Sequence, residues 1–241
     1  YFGRGLKRRL AAPLLAALRW WDRRVNRGVH HFVTLSRHVR DRIRRFYNRE
    51  AAVVYPPVDT DFFTPGPPPP DAGMYDLIVS ALVPYKRIEL ALNAYGRLGF
   101  PLRIVGAGTE LKRLQRMAPP NVAWLGHRSD TELRELYRGC RFLVFPGEED
   151  FGLVPVEAQA CGRPVIAFGR GGVRESVIEG QTGLFFDEPD PNALESTVRQ
   201  ATALRWDATT IRTQAERFSP QRFIDAMARE VETCLVSPEV P

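Results

Sequence analysis

From residue 75 onward, short apolar segments alternate regularly with longer amphipathic segments. The apolar segments have the length of β-strands, and they are too uniformly apolar for strands that expose one face to water. Strands that alternate with helices in this way form a parallel sheet that helices cover on both faces, the doubly wound α/β architecture. The predicted strands are 76–81, 102–105, 122–125, 141–145, 164–168 and 183–186, and the predicted helices between them are 87–98, 109–117, 130–139, 154–161 and 172–179.

The segment before the sheet has its own pattern. Leucines at three- to four-residue spacing predict an amphipathic helix that runs to about Asp22 and is kinked at Pro13. Ser36 is a good N-cap for a basic helix over 37–47. Short strands are predicted at 31–35 and 52–55, and a proline-rich loop at 64–71.

Two helices are predicted after the sheet, at about 193–204 and 221–236. Six strands and five helices already complete the layered architecture, so we expect these helices to pack back on the first segment.

Several classes of protein are excluded. The three cysteines lie far apart without metal-ligand spacing, which argues against a disulfide framework or a zinc site and favours a cytoplasmic location. The longest apolar run, residues 11–18, is much shorter than the roughly 20 residues that a membrane span needs. The cysteines are Cys140, Cys161 and Cys234.

Ligands of doubly wound sheets bind beyond the carboxyl ends of the strands. In the first such loop, Lys86 and Arg87 begin a helix and could face a diphosphate, although alone they would be an ordinary solvated helix start. In the second, Gly106 and Gly108 resemble the start of a dinucleotide fingerprint, but the third glycine is missing. We favour close backbone approach as their role.

The loop after the strand at 141–145 carries three acids, a glycine and then a helix that opens near Pro155. The N-terminus of such a helix offers unpaired N–H groups to a phosphate. Glu149 in the loop and Glu157 in the helix could border one pocket, while the alternative is an acidic surface loop with a helix-capping glutamate. The glycines of the 168–175 loop fit ligand approach and plain flexibility equally well.

Glu149 and Glu157 are separated by seven residues, and the run from Glu149 to Val165 resembles the signature of retaining glycosyltransferases of family 4, which have the GT-B fold with Rossmann-like domains. Four further segments resemble the same family in the same order. Within the family, 79–90 and 145–172 look most like bacterial mannosyltransferases that build O-antigen and exopolysaccharide units from GDP-mannose. The four segments are 55–63, 83–87, 125–127 and 180–184.

The resemblance implies a role for each matching residue. Glu149 would contact the donor hexose at the reacting centre, Glu157 would hold the ribose hydroxyls, and Lys86 would neutralise the departing diphosphate. The diphosphate would also meet the backbone amides of Phe151, Gly152 and Leu153, and the base would be bordered by Gly126, His127 and Arg128. Neither a metal nor a cofactor is implied.

The sequence departs from the family at one position. Many members carry an arginine where this chain has Ala81, five residues before the lysine, as a second phosphate cation. Arg87 is the candidate substitute for that charge.

The resemblance also implies a division of the chain. Residues 1–55 would be a remnant of the N-terminal acceptor domain, 56–217 the nucleotide-sugar donor domain, and 218–241 a helix that crosses back. A chain of this kind would bind donor but transfer poorly alone. A nucleotide-sugar 2-epimerase of the same fold and a donor-binding module without activity remain alternatives.

The positive charge is concentrated at one end. Residues 1–50 hold 14 basic and 3 acidic residues, a net charge of +11, whereas the whole chain has 34 and 28, a net charge of +6. Nucleic-acid binding would need interleaved aromatics or a recognised module, and neither is present. Solvated surface and contact with an anionic membrane remain, and the second suits an enzyme with a lipid-linked saccharide acceptor.

Overall fold

A computed structural model describes the backbone of residues 6–67 and 69–236 and the side chains of residues 12–67 and 69–236. Its helices are α1 Leu6–Val25, α2 Arg37–Tyr47, α3 Ile88–Leu98, α4 Leu111–Met117, α5 Asp130–Gly139, α6 Leu153–Ala160, α7 Val173–Ser176, α8 Pro191–Ala203, α9 Ala208–Ala215 and α10 Pro220–Val236. Its strands are β1 Val33–Thr34, β2 Ala52–Val53, β3 Asp76–Val79, β4 Leu102–Val105, β5 Val122–Gly126, β6 Leu143–Phe145, β7 Val165–Phe168 and β8 Gly183–Phe186.

Six of the strands form one parallel sheet in the order β5-β4-β3-β6-β7-β8. The chain builds outward from β3 to β5 and then returns to place β6 on the other side of β3. This order confirms the predicted doubly wound architecture, with its switch point between β3 and β6. The remaining pair, β1 and β2, is a separate parallel sheet of two short strands.

Each face of the sheet has its own buried core. One face packs Ile78, Ile104 and Ile166 against α3 and α8. The opposite face packs Leu77 and Leu143 of neighbouring strands against α5, α6 and α9. Successive strand residues therefore enter different cores, which is why these segments are apolar throughout.

The structure corrects the expectation for the first of the two final helices. Leu194, Val198 and Ala201 of α8 are fully buried in the core with α3, rather than packed on the first segment. Their spacing of three to four residues produces one apolar stripe, and β8 offers the apolar face that this stripe covers. The last helix, α10, does approach the first segment, where His31 lies 3.1 Å from Glu230.

Other element boundaries also differ from the predictions. The first central strand ends at Val79, and a single 3₁₀ turn at 84–86 precedes α3. Helix α9 was not predicted, since it is short and rather polar, but Asp207 caps it through the amides of Thr209 and Thr210. Helix α1 includes Pro13, as predicted, and ends at Val25 rather than near Asp22. The side chains of Leu6 and Leu10 from its predicted stripe lie outside the described residues. In the described part of the chain, no helix combines the length and apolarity needed to cross a membrane.

The first segment is attached to the sheet through α2. Ser36 caps this helix as predicted, because its hydroxyl accepts a hydrogen bond from the amide of Val39 at 3.1 Å. The carboxylate of Glu175 in α7 accepts hydrogen bonds from the amides of Arg37 at 2.9 Å and His38 at 3.0 Å. The hydroxyl of Tyr55 donates to the same carboxylate at 2.9 Å. Glu175 therefore binds both the start of α2 and Tyr55, which lies at the end of the first segment.

A charged network lies at the amino edge of the sheet, at the start of β3. Asp76 is fully buried and accepts two hydrogen bonds from the guanidinium of Arg141, at 2.9 and 2.7 Å. The hydroxyl of Tyr95 donates to Asp76 at 2.6 Å. These contacts satisfy a carboxylate that would otherwise be very costly to bury.

We predict that Asp76→Ala lowers the free energy of unfolding by about 3–5 kcal/mol, because it leaves the Arg141 guanidinium without its partner. The matched control is Asp71→Ala, which removes an ion pair to Arg103 whose side chains are 40% and 31% exposed. Its expected cost is less than about 1 kcal/mol. Urea denaturation measures both, and equal losses would contradict the structural role of Asp76.

Candidate functional site

A cleft of about 850 Å³ lies across the switch point, at the carboxyl edge of the sheet. The loops after β3, β4, β5 and β6 form its walls, and Leu35 and Pro56 close one side. From the predicted site residues, the cleft brings together Lys86, His127, Arg128, Glu149, Phe151, Gly152 and Leu153. The other three predicted residues, Arg87, Gly126 and Glu157, do not line it.

Glycines let the loops after β3 and β4 touch. Gly106 has a φ of +131°, and a Cβ atom there would overlap the carbonyl oxygen of Ser80. A Cβ atom at Gly108 would overlap the carbonyl oxygen of Leu82 in the same way. Both glycines are therefore needed for close backbone approach, as we favoured from the sequence, rather than for a dinucleotide fingerprint.

The loops after β6 and β7 are also joined. Glu149 forms an isolated parallel bridge with Gly171, and the amide of Gly172 donates to the carbonyl of Glu149 at 2.9 Å. Gly171 has a φ of +78°, and a Cβ atom there would overlap the backbone of Glu149. The glycines after β7 therefore hold Glu149 in place, and the flexibility alternative does not account for them.

Lys86 and Glu149 contact each other across the switch point. The ammonium group of Lys86 donates a hydrogen bond to Oε1 of Glu149, and the two side chains are only 12% and 26% exposed. Burial lowers the pKa of Lys86. An anionic ligand that enters the cleft thus meets a cation that is already paired with a carboxylate.

The N-terminus of α6 opens into the same cleft. Gly152 precedes the helix with a φ of +91° and supplies no side-chain cap. The N–H groups of the first helical turn have no partners within the helix and carry a partial positive charge. Pro155 lies in this first turn, as the sequence indicated. The helix end and Lys86 together favour a negatively charged ligand.

Phe151 differs from the exposed residues around it. Its ring is buried against Tyr55, with ring centroids 5.6 Å apart, and against Phe218, at 5.3 Å. This contact anchors the loop, so that the backbone of 151–153, rather than the Phe151 side chain, is available to a ligand.

Glu157 lies in α6 beneath the cleft wall. The hydroxyl of Tyr137 donates to its carboxylate at 2.6 Å. Burial raises the pKa of Glu157, while the hydrogen bond from Tyr137 favours the charged form. A half-buried carboxylate with a shifted pKa is a common feature of functional sites.

Two basic residues face the cleft from the loop after β5. His127 and Arg128 both line it, and the Arg128 guanidinium lies 3.5 Å from Glu132. Gly126 ends the strand with a φ of +68°, and its carbonyl accepts a hydrogen bond from the amide of Gly106 at 2.8 Å. Gly126 thus positions the loop without contacting the cleft.

The structure places Arg87 away from the cleft. Its backbone is left-handed, with a φ of 54°, and its guanidinium lies over the ring of Phe168 at 4.5 Å. It lines a separate cavity of about 450 Å³. Ala81 lines the cleft, so the charge absent at Ala81 is not replaced there by Arg87.

Sequence reasoning missed several lining residues, namely Ser80, Tyr85, Asp130, Glu148 and Asp150. Most of them fall inside the loops that were predicted to face ligand, but no motif distinguished their side chains. In the described part of the chain, no group of three His, Cys, Asp or Glu side chains is arranged to hold a metal ion.

Comparison with known proteins identifies the family of this chain. A family model described as glycosyl transferases group 1 matches residues 68–218, more than half of the chain. The chain belongs to the group 1 glycosyltransferase family. A D-inositol 3-phosphate glycosyltransferase of Mycolicibacterium smegmatis is 32% identical over 226 residues, covering 84% of this chain and 50% of the relative.

A second relative from the same organism is a GDP-mannose-dependent alpha-(1-6)-phosphatidylinositol monomannoside mannosyltransferase. It is 31% identical over 208 residues, covering 73% of this chain and 54% of the relative. The chain therefore spans about half the length of these curated relatives.

The fold has solved counterparts. Anabaena Alr3699/HepE, in complex with UDP-glucose, superposes with a TM-score of 0.76 over 86% of this chain and 65% of the other, at 22% identity. This likeness concerns the fold alone, and it confirms the GT-B type architecture for this group 1 glycosyltransferase domain.

The half-buried Glu157 generates a pH-dependent prediction. Its folded pKa is raised, so the folded state binds more protons than the unfolded state, and the stability contribution of Glu157 falls as pH rises through that window. Glu157→Gln keeps an acceptor for Tyr137 and removes the charge. We expect this variant to be more stable than the parent at about pH 8, with the advantage shrinking toward about pH 4.

Urea midpoints across this pH range measure the difference between variant and parent. Glu188→Gln is the matched control, because Glu188 is exposed and forms no side-chain hydrogen bond or ion pair with the other described residues. A stability difference for Glu157→Gln that does not change with pH would contradict the effect of burial.

Proposed function

We propose that this chain is the donor-binding part of a retaining glycosyltransferase that moves a hexose, mannose from GDP-mannose, to a lipid-linked saccharide acceptor in cell-surface polysaccharide synthesis. The observation that carries the proposal is the pairing of Lys86 with Glu149 beside the N-terminus of α6. A nucleotide sugar needs both kinds of group, since it has an anionic diphosphate and a sugar carbon that becomes cationic as the bond breaks.

Each side of the cleft has a defined part in the proposed mechanism. The diphosphate lies between Lys86 and the amides of residues 151–153, which stabilise its negative charge as it departs. Glu149 faces the sugar and stabilises the positive charge that develops there. The 126–128 loop borders the base. The ribose hydroxyls are assigned to Glu157 from the family resemblance, and its carboxylate lies in α6 outside the lining of the cleft. In this proposal Lys86 and the N-terminus of α6 supply the positive charge that a metal ion would otherwise provide.

The donor assignment has two sources of support. The first is the resemblance of 79–90 and 145–172 to bacterial mannosyltransferases, and the second is the GDP-mannose-dependent relative. The D-inositol 3-phosphate glycosyltransferase relative carries no donor in its name and favours neither base. UDP-sugars are therefore the first alternative to test. Neither relative named above is an epimerase, which disfavours the 2-epimerase alternative.

The domain assignment is also a proposal. Residues 1–55 belong to the acceptor domain, 56–217 to the donor domain, and 218–241 to a helix that returns to the acceptor domain. In α1, Leu14, Trp20 and Trp21 are 64%, 65% and 58% exposed among arginines. Exposed aromatic and basic residues on one helix suit contact with an anionic membrane surface, where a lipid-linked acceptor would be found.

The donor proposal predicts which nucleotides bind. We expect GDP and GDP-mannose to bind this chain more tightly than UDP, ADP or UDP-glucose in isothermal calorimetry. Lys86→Ala should weaken GDP binding about 10- to 100-fold, because a charge-assisted hydrogen bond contributes about 1.5–3 kcal/mol. Lys112→Ala is the matched control, since Lys112 is an exposed lysine of α4 outside the cleft.

Preference for UDP compounds would retain the nucleotide-sugar site and overturn the mannose donor. Equal losses in both lysine variants would contradict the phosphate role of Lys86. Product analysis with and without acceptor separates the enzyme classes, because an epimerase converts donor when no acceptor is present.

The pairing of Lys86 with Glu149 predicts a second effect. Glu149 competes with phosphate for Lys86, so Glu149→Gln should tighten GDP binding about 3- to 10-fold. Glu148→Gln is the matched control, because it removes the same charge from the same cleft. Lys86 forms its ion pair with Glu149 and not with Glu148. Tighter binding in both variants to the same extent would show a general charge effect and contradict specific competition.

A further inference from the structure

A second cavity, of about 590 Å³, lies next to the donor cleft. Its walls are the N-terminal turn of α2 and the loop between β7 and α7. Glu148 lines both this cavity and the donor cleft, so the two are adjacent. Gly171, which bridges to Glu149, also lines the second cavity.

The charged groups around this cavity are of two kinds, those that already have partners within the protein and those that do not. The Glu175 carboxylate already accepts three hydrogen bonds. Arg174 donates to the carbonyl of Gly169 at 3.2 Å and lies 3.7 Å from Asp187. Asp41 also lines the cavity, and its carboxylate lies 3.2 Å from the guanidinium of Arg40. These paired groups leave little capacity for a ligand.

Three charged side chains of the cavity remain available. Arg37, Glu148 and Arg170 are exposed and line the cavity, and they form no ion pair or side-chain hydrogen bond with other described residues. Two guanidinium groups can bind a phosphate bidentately, and a carboxylate can accept hydrogen bonds from sugar hydroxyls. The available groups thus match a ligand with both an anionic group and hydroxyls.

We propose that this second cavity is the acceptor subsite and that it takes a phosphorylated saccharide. Arg37 and Arg170 bind the phosphate, and Glu148 accepts a hydrogen bond from a hydroxyl of the acceptor sugar. The assignment rests on the proposed glycosyl transfer, because it depends on Glu149 being the reacting centre. A ligand there would contact Glu148 and Gly171, the sequence neighbour and the bridge partner of Glu149.

The test uses mannose 6-phosphate, mannose and inorganic phosphate as probes, added to the chain with GDP at saturation. Saturating GDP fills the donor cleft, so that a phosphorylated probe reports on the second cavity. We expect mannose 6-phosphate to bind at least about 10-fold more tightly than either mannose or inorganic phosphate, because charged hydrogen bonds contribute strongly.

Variants assign that binding to residues. Arg37→Ala and Arg170→Ala should each weaken mannose 6-phosphate binding about 5- to 10-fold, and Glu148→Gln should weaken it without affecting inorganic phosphate. Arg116→Ala is the matched control, since Arg116 is an exposed arginine of α4 far from the cavity in sequence. Urea midpoints equal to the parent's exclude loss of folding as the cause.

Three results would overturn the acceptor subsite: binding that is unchanged in the Arg37 and Arg170 variants, binding lost equally in the Arg116 control, or inorganic phosphate binding as tightly as the sugar phosphate. GDP binding in the same variants separates this proposal from the donor proposal. If the Arg37 and Arg170 variants bind GDP normally and their sugar-phosphate binding is unchanged, the acceptor subsite alone is contradicted. If the parent chain does not bind GDP but binds sugar phosphate through Arg37 and Arg170, the donor site is contradicted. The second cavity then remains a site for a phosphorylated saccharide.

Discussion

The pairing of β3 with β6 is the constraint on which the site depends. After β5 the chain returns to the middle of the sheet, so the connections that follow β3 and β6 lead to opposite halves of the sheet. Their loops must separate, and a cleft opens between them. Lys86 and Glu149 are 63 residues apart in sequence, yet each follows one of these two strands. Their contact is therefore a consequence of strand order and not of local sequence.

The two edges of the sheet use charge in different ways. At the start of β3, Asp76 is buried but has three hydrogen bonds from Arg141 and Tyr95, which offset its desolvation. At the carboxyl edge, burial lowers the pKa of Lys86 and raises that of Glu157. Both shifts disfavour the charged forms, so these two groups oppose folding at neutral pH. A ligand that binds these groups only in the folded chain would offset this cost, because it stabilises the folded state by mass action.

Much of this organisation can be predicted from the sequence, and the exceptions have physical reasons. Uniformly apolar strands predict a covered parallel sheet, and sheet edges predict where ligands bind. The bridge between Glu149 and Gly171 joins loops after different strands, so no local pattern reveals it. Arg87 adopts a left-handed backbone that residue type does not indicate, and that turn takes its guanidinium to Phe168. The burial of α8 depends on how much of the sheet α3 leaves uncovered, which is a property of packing.

The strength of individual contacts decides how α2 is attached to the loops that form both cavities. The ion pair between Arg42 and Asp150 is short, at 2.6 Å, but both side chains are more than half exposed, and such pairs contribute about 0–1 kcal/mol. Glu175 accepts three hydrogen bonds in a half-buried position, two of them from amides of the first turn of α2. Hydrogen bonds to charged groups are worth about 1.5–3 kcal/mol each. Glu175 of α7 is therefore the principal attachment of α2. It fixes the position of Arg37 and of the α2 N-terminus in the wall of the second cavity.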